Sequence, residues 1–320
     1  MAKQIILIIF AAFLSSNLSG QQIPTTIDWF LRTGSSQNSP QLYVKEMGMG
    51  KDTIVMLHGG WGGAHDELVD AVRNLGSQFH FIFYEQRGSL RSPCADSLIS
   101  FDAHIEDLER LRKELGIQKM IVVGHSMGGL LAGAYASRYP ERIKKLILLA
   151  PAYLKEPLSK GDIAILSVSR PAFESFLVRP DIRAELEKYN LTGDNLNSRQ
   201  ETFKNRINLC GRMVYDVSNW KKFQGGGPLF KFNVYNLTTR TYPPDGFNFF
   251  TALQKTGFPI RVIMGDNDFL DFGNTLMPKW YNEIPNSRFI SIKNAGHLLW
   301  FDQPEAFEKA LKESIKAPNP

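Results

Sequence analysis

The 320-residue sequence predicts an α/β protein in which a mostly parallel sheet, flanked by helices, is interrupted by a mainly helical insertion. Three observations carry this reading. Short β-branched runs alternate with amphipathic helical stretches, the pattern of repeated strand–helix–strand units. The runs at 53–57, 79–84, 120–123 and 145–149 are apolar nearly throughout, as strands covered on both faces must be. From Pro151 to Gly257 the chain instead carries helical fragments, the run Gly225-Gly226-Gly227 and the pair Pro243-Pro244, with no convincing buried strand. Strands then resume at 260–264 and 289–292.

Taken in order, the chain opens on Lys3, an unbroken apolar run over 5–14 and a small, polar stretch over 15–20. This reads as a signal peptide spanning 1–20. The apolar run is about half of the roughly twenty residues that a spanning helix needs, so no stable membrane insertion is expected. Gln21 stands where a lipoprotein site would need Cys. The mature protein is therefore expected to be secreted or periplasmic. A polar lead-in over 21–41 precedes a core expected over 42–151 and 258–320, with the cap insertion over 152–257. Within the core, Ile105, Leu108, Leu111 and Leu115 recur at helical spacing with Gly116 as a cap, and Pro304 starts a helix that runs to about Ile315.

Composition narrows the function classes. The chain is 43% hydrophobic and 22% charged, the ordinary range for a soluble globular protein. Its net charge of +5 comes from Lys and Arg scattered among acids, which describes a solvated surface, so no nucleic-acid partner is expected. Neither a phosphate-binding Gly-x-x-x-x-Gly-Lys loop nor a complete dinucleotide fingerprint occurs, and His58 and His65 lack metal-ligand spacing. No cofactor and no metal are expected. Cys94 and Cys210 could pair in an oxidising compartment or remain two separate thiols.

The chemistry is concentrated in four segments. Gly124-His125-Ser126-Met127-Gly128 lies between the buried run ending at Val123 and a helical stretch that Pro140 ends. A serine on a sharp strand-to-helix turn needs small residues two before and two after it, and Gly124 and Gly128 supply them. Upstream, His58-Gly59-Gly60-Trp61-Gly62-Gly63 is flexible enough to turn backbone N–H groups toward an oxyanion. The expected donors are Met127 and either Gly60 or Trp61.

A serine nucleophile needs a base, and the base needs an acid to orient it. Of six histidines, His58 and His125 sit inside the backbone motifs, while His65, His80 and His104 precede or flank helices. His297, just past the last strand, is placed at the sheet edge where ligands of open α/β sheets bind. The acid is read as Asp268, in a Gly-x-x-Asp turn that returns its side chain toward the serine, with Asp266 and Asp271 as alternatives. The order Ser, Asp, His is the order of the α/β-hydrolases.

Together with Tyr84-Glu85-Gln86-Arg87-Gly88, these segments resemble the α/β-hydrolase superfamily, and within it the proline iminopeptidase-like serine aminopeptidases. The resemblance implies the α/β-hydrolase fold with a cap, a serine hydrolase mechanism, and a small-molecule or short-peptide substrate. That branch usually shows His-Gly-Gly-Pro-Gly and Asp-Gln-Arg-Gly, where this chain has Trp61 and Glu85. Its caps typically carry a Trp-Glu pair whose carboxylate helps bind the substrate amine; here Lys221 and Lys222 follow Trp220. Glu174, Glu201 and Asp216 are the candidate substitutes. Arg87 is read as structural, buttressing the loop beside Ser126. A carboxylesterase or lactonase is the alternative activity, and a non-catalytic ligand-binding homologue is the alternative outside enzymes. Epoxide hydrolase and dehalogenase chemistry is disfavoured, since those relatives use an aspartate where Ser126 stands.

Overall fold

A computed structural model describes residues 26–318, so the signal peptide expected over 1–20 lies outside the described residues. The first half of the chain forms β1 (Thr26–Arg32), β2 (Gln41–Met47), β3 (Thr53–Leu57), α1 (Asp66–Val72), β4 (His80–Tyr84), α2 (Phe101–Glu114), β5 (Met120–His125), α3 (Met127–Arg138) and β6 (Ile143–Leu149). The middle forms β7 (Lys155–Glu156), α4 (Lys160–Leu177), α5 (Pro180–Lys188), α6 (Ser198–Gly211), α7 (Phe232–Thr239), β8 (Phe247–Asn248) and α8 (Phe250–Leu253). The chain closes with β9 (Ile260–Gly265), α9 (Met277–Asn282), β10 (Ser287–Ile292), α10 (Leu299–Asp302) and α11 (Pro304–Lys316).

Eight of the described strands form one sheet in the order β1-β2-β4-β3-β5-β6-β9-β10, parallel from β4 to β10 and antiparallel at β1 and β2. Strand alternation sends side chains to two separate cores. Val55 and Leu57 of β3 join the cluster covered by α2, α3 and α9, whereas Ile54 and Met56 join the one covered by α1, α10 and α11. This two-sided burial is why β3 to β6 read as continuous apolar runs.

The stretch read as a lead-in contributes β1, paired with β2 from Thr26↔Met47 to Arg32↔Gln41. Leu31, Leu42 and Val44 are buried while Asp28, Phe30 and Arg32 are exposed. One-sided strands mix polar and apolar residues, so no apolar run betrays them. The insertion rises between β6 and β9, and its base is closed by β7 pairing with β8, Lys155↔Asn248 and Glu156↔Phe247. Both cysteines are free thiols, which decides the disulfide question against pairing. Cys94 packs on the core of α2 and α3, and Cys210 is buried in the core on the opposite face of the sheet.

The turn after β4 is held by two ionic networks. Arg87 donates Nε and Nη2 to the carboxylate of Asp107 on α2, at 2.7 and 2.6 Å, and Nη1 to Leu98 O at 2.6 Å. Fully buried Glu85 lies 2.9 Å from His65 Nδ1 and accepts from Arg91 N at 2.6 Å, while Arg91 bridges it to Asp66. Burial acts to raise the Glu85 pKa, but the His65 hydrogen bond and the neighbouring charges outweigh it and hold the carboxyl at about 2, against an ordinary 4.5.

A carboxylate depressed in the folded state stabilises above its unfolded pKa, and that stability is lost as pH falls through the folded value. Acid should therefore erode stability between about pH 4.5 and pH 2. Glu85→Gln is expected to lower stability at pH 7 by about 3 kcal/mol, with a shallower acid limb. Urea melts at pH 7, 4 and 3 check this; an unaltered acid limb would exclude Glu85 as its source.

Candidate active site

The strand order sets the site. β3, β5, β6, β9 and β10 run parallel, so the loops after them gather along one edge of the sheet, where open α/β sheets bind ligands. That edge carries the glycine loop after β3, Ser126 after β5, Asp268 after β9 and His297 after β10.

Ser126 has φ 53° and ψ −119°, a left-handed backbone that costs a non-glycine residue on the order of 1–3 kcal/mol. The surroundings enforce it. Ser126 N donates to Leu149 O at 3.0 Å, and Ser126 O accepts from Gly129 N, Leu130 N and Ala152 N at 2.9, 3.2 and 2.9 Å. The turn closes so tightly that a Cβ at Gly124 would lie 2.3 Å from Gly128 O, and one at Gly128 would lie 2.3 Å from Leu57 O. This is the physical requirement behind the two glycines of the motif. Met127 begins α3, so its N–H belongs to the unpaired first turn and lies at the positive end of the helix dipole.

His297 Nδ1 lies 2.8 Å from Asp268 Oδ2, with both side chains buried. Asp268 Oδ1 accepts from Leu270 N at 2.9 Å, which fixes the carboxylate. The other two candidate acids are committed elsewhere. Asp271 accepts from the amides of Thr275, Leu276 and Met277 and so shapes the turn into α9. Asp266 accepts from Asn267 Nδ2 at 2.6 Å and lies 3.6 Å from Lys293 Nζ. The imidazole of His297 is flanked by the rings of Phe269 and His125, at 4.4 and 4.7 Å between centroids.

The remaining histidines have other partners. His58 lies with Nδ1 2.9 Å from Gly59 O and accepts from Gln86 N at Nε2, so it is the Nδ1–H tautomer, kept neutral by burial. It thereby ties the glycine loop to the segment after β4. His125 is buried, which pushes its pKa down, and its Nδ1 lies 3.5 Å from Glu67. Burial and the Arg87 charge push His104 down to about 3, and it stacks on Trp61 at 4.7 Å. His65 and His80 sit on Glu85 and Glu46. His65, Asp66 and Glu85 lie within 4.8 Å of one another, but Arg91 pairs with both carboxylates, making the trio part of an ion-pair network.

Gly60 adopts φ +65°, and the ring of Phe230 packs over it: a Cβ there would fall 2.7 Å from Phe230 Cε2. Lys231 N donates to Gly62 O at 3.0 Å, so the cap is hydrogen-bonded to the glycine loop. The indole of Trp61 is buried in the core and donates to Tyr242 OH at 2.8 Å, leaving only its backbone to the loop. Phe230 and Phe269, the aromatic neighbours of these groups, carry no sequence signal beyond Phe269 following Asp268.

The three cap acids separate in space. Glu174 lines a groove of about 420 Å³ between α4 and the loop after Asp268, whose walls include Leu166, Phe173, Phe269 and Phe272. Phe269 connects this groove to His297. Asp216 is occupied in capping a 3-10 turn through Ser218 N at 2.9 Å, and Glu201 lies in the first turn of α6. Trp220 is buried and donates to Glu185, so Glu185 holds the indole within the cap.

A strained serine between strand and helix, on the same sheet edge as a buried His–Asp pair and a glycine loop, defines a hydrolytic enzyme on an α/β scaffold. The chain belongs to the alpha/beta hydrolase fold family, which it matches over residues 52–304. It is 26% identical over 279 residues to a proline iminopeptidase of Saccharolobus solfataricus, covering 82% of this chain and 84% of that one. A proline iminopeptidase of Clostridioides difficile is 29% identical over 288 residues, covering 84% and 91% of the two chains. Among solved structures, a thermophilic esterase of Thermogutta terrifontis superposes with TM-score 0.62 at 22% identity, over 92% of this chain and all of its own. No described helix is long and apolar enough to cross a membrane.

Proposed function

We propose that this hydrolase is an exported serine aminopeptidase of the proline iminopeptidase type, working through an acyl-enzyme. The observation that carries the serine mechanism is the 2.8 Å His297–Asp268 pair on the same sheet edge as the strained Ser126. In this reading His297 Nε2 takes the Ser126 proton while Asp268 holds Nδ1, and Ser126 Oγ attacks the acyl carbon. The tetrahedral oxyanion is met by the N–H of Met127 and that of Gly60 or Trp61. His297 then protonates the departing amine, and water repeats the sequence to free Ser126.

Two proline iminopeptidases aligning with most of the chain support the substrate class. This reading assigns a substrate ammonium to Glu174, on the groove that shares Phe269 with His297, whose apolar walls suit a proline-like ring. One observation favours an esterase as the second reading. Arg170 Nε already donates to Glu174 at 2.9 Å, and an ester needs no ammonium partner.

A panel of aminoacyl-arylamides, proline first, beside p-nitrophenyl esters separates the two. Arylamide cleavage with a KM raised at least about tenfold by Glu174→Gln is the expected outcome, as for loss of a charged hydrogen bond. Ester cleavage without any arylamide cleavage rejects the aminopeptidase. Export is tested by sequencing the N-terminus of protein recovered outside the cytoplasm, where a start near Gln21 is expected.

A further inference from the structure

The loop that carries His297 is fastened to the cap through one carboxylate. Asp302, at the end of α10, accepts from Gly296 N at 2.9 Å and Tyr215 N at 2.7 Å with Oδ2, and from Asp216 N at 3.2 Å and Asn219 Nδ2 at 2.8 Å with Oδ1. Gly296 immediately precedes His297, whereas the other three donors belong to the cap loop after α6. Two more contacts join the same segments. Leu298 N donates to Met213 O at 2.9 Å, and a Cβ at Gly296 would come 2.6 Å from that same oxygen. The backbone on both sides of His297 is therefore seated on cap residues 213–219.

The cap loop is stiffened from its other side. Arg179 donates to the carbonyls of Tyr215, Gly211 and Val214 at 2.8, 2.7 and 2.9 Å, so one guanidinium gathers its C=O groups while Asp302 gathers its N–H groups. An ionised carboxylate offers about four acceptor positions, matching the four donors here, and an amide in its place would turn an NH₂ onto two of them. We propose that Asp302 is a positioning residue that couples seating of the cap to the orientation of His297. Displacing the cap loop pulls on Gly296, and with it on the imidazole that must reach both Asp268 and Ser126.

The proposal rests on the reading of His297 as the base, and the test keeps the two apart. Labelling with a fluorophosphonate probe follows Ser126 reactivity without knowledge of the substrate: its amplitude counts competent molecules, and its rate constant reports their geometry. For Asp302→Asn, near-full amplitude with a rate constant lowered about 10- to 100-fold is expected, the scale of a misplaced catalytic group. The downfield proton resonance of His297 Nδ1–H should shift as well. A purely structural role would lower the melting temperature and the amplitude but leave the rate constant and the resonance unchanged, and that result overturns the coupling.

If Asp302→Asn does not fold, Asn219→Ala removes one cap-side donor only. There a rate constant lowered about two- to fivefold, the scale of one weakened hydrogen bond, supports the coupling, and a wild-type rate overturns it. Wild-type labelling of His297→Ala would instead remove the catalytic reading on which the coupling stands.

Discussion

Replacing Ser126 by Ala is expected to lower turnover by about six orders of magnitude while leaving the fold in place, the scale seen when the nucleophile of a serine hydrolase is removed. The size follows from the mechanism. In the proposed mechanism no acyl-enzyme forms without Oγ, and only binding and the oxyanion donors remain to act on a water. The backbone strain at φ 53° is borne by the four main-chain hydrogen bonds of residue 126, none of which uses the hydroxyl. Stability should therefore change by less than about 1 kcal/mol. His297→Ala should cost nearly as much activity, and the double variant little more than either single one, because the proposed mechanism has the two groups act as a unit. Thermal melts beside turnover on the arylamide and ester panel check both halves; substantial activity in Ser126→Ala would remove this serine from the mechanism.

The largest effect on stability is expected at Arg87. Its guanidinium makes a buried two-pronged contact with Asp107 on α2 and a third, part-buried bond to Leu98 O. Arg87→Met leaves Asp107 as an uncompensated buried carboxylate, a change that costs about 3–5 kcal/mol. Removing the partner as well, in Arg87→Met with Asp107→Leu, should recover much of that loss, since a buried pair is often replaceable by well-packed apolar groups. The neighbouring Gln86 donates its backbone N–H to His58 and its side chain to His58 O, so the damage should also loosen the glycine loop and reduce turnover. Urea unfolding of the three proteins gives the answer. A single variant within about 0.5 kcal/mol of wild type would mean that this ion pair holds nothing together.

How much of this was legible depended on the range of the forces involved. β3, β5, β6 and β9 announce themselves because burial on both faces demands apolar residues at nearly every position. β1 and β2 do not, since only one face of each is covered and Asp28, Phe30 and Arg32 look out to solvent. Ser126 was visible because the clash it must avoid is local, between Gly124 and Gly128. The acid was read as Asp268 from its Gly-x-x-Asp turn, with Asp266 and Asp271 left as alternatives. Asp266, Asp268 and Asp271 share one loop, and only the hydrogen bonds of the folded turn show that Asp268 faces His297 while Asp271 serves α9. The free state of Cys94 and Cys210 likewise depends on which face of the sheet each residue reaches.

By itself, then, the sequence determined the α/β architecture, the serine turn, the glycine loop and the Ser, Asp, His order, because each rests on short-range sterics or on which residues tolerate burial. Tertiary structure removed Asp266 and Asp271 as partners of His297, and it alone decided which cap acid lies beside the groove and that Asp302 ties residues 215–219 to Gly296. These relations join residues that are distant along the chain, and a hydrogen bond across such a gap leaves no periodicity or local strain to read. It exists only once the parallel strands have brought their ends to one edge and the cap has settled over them.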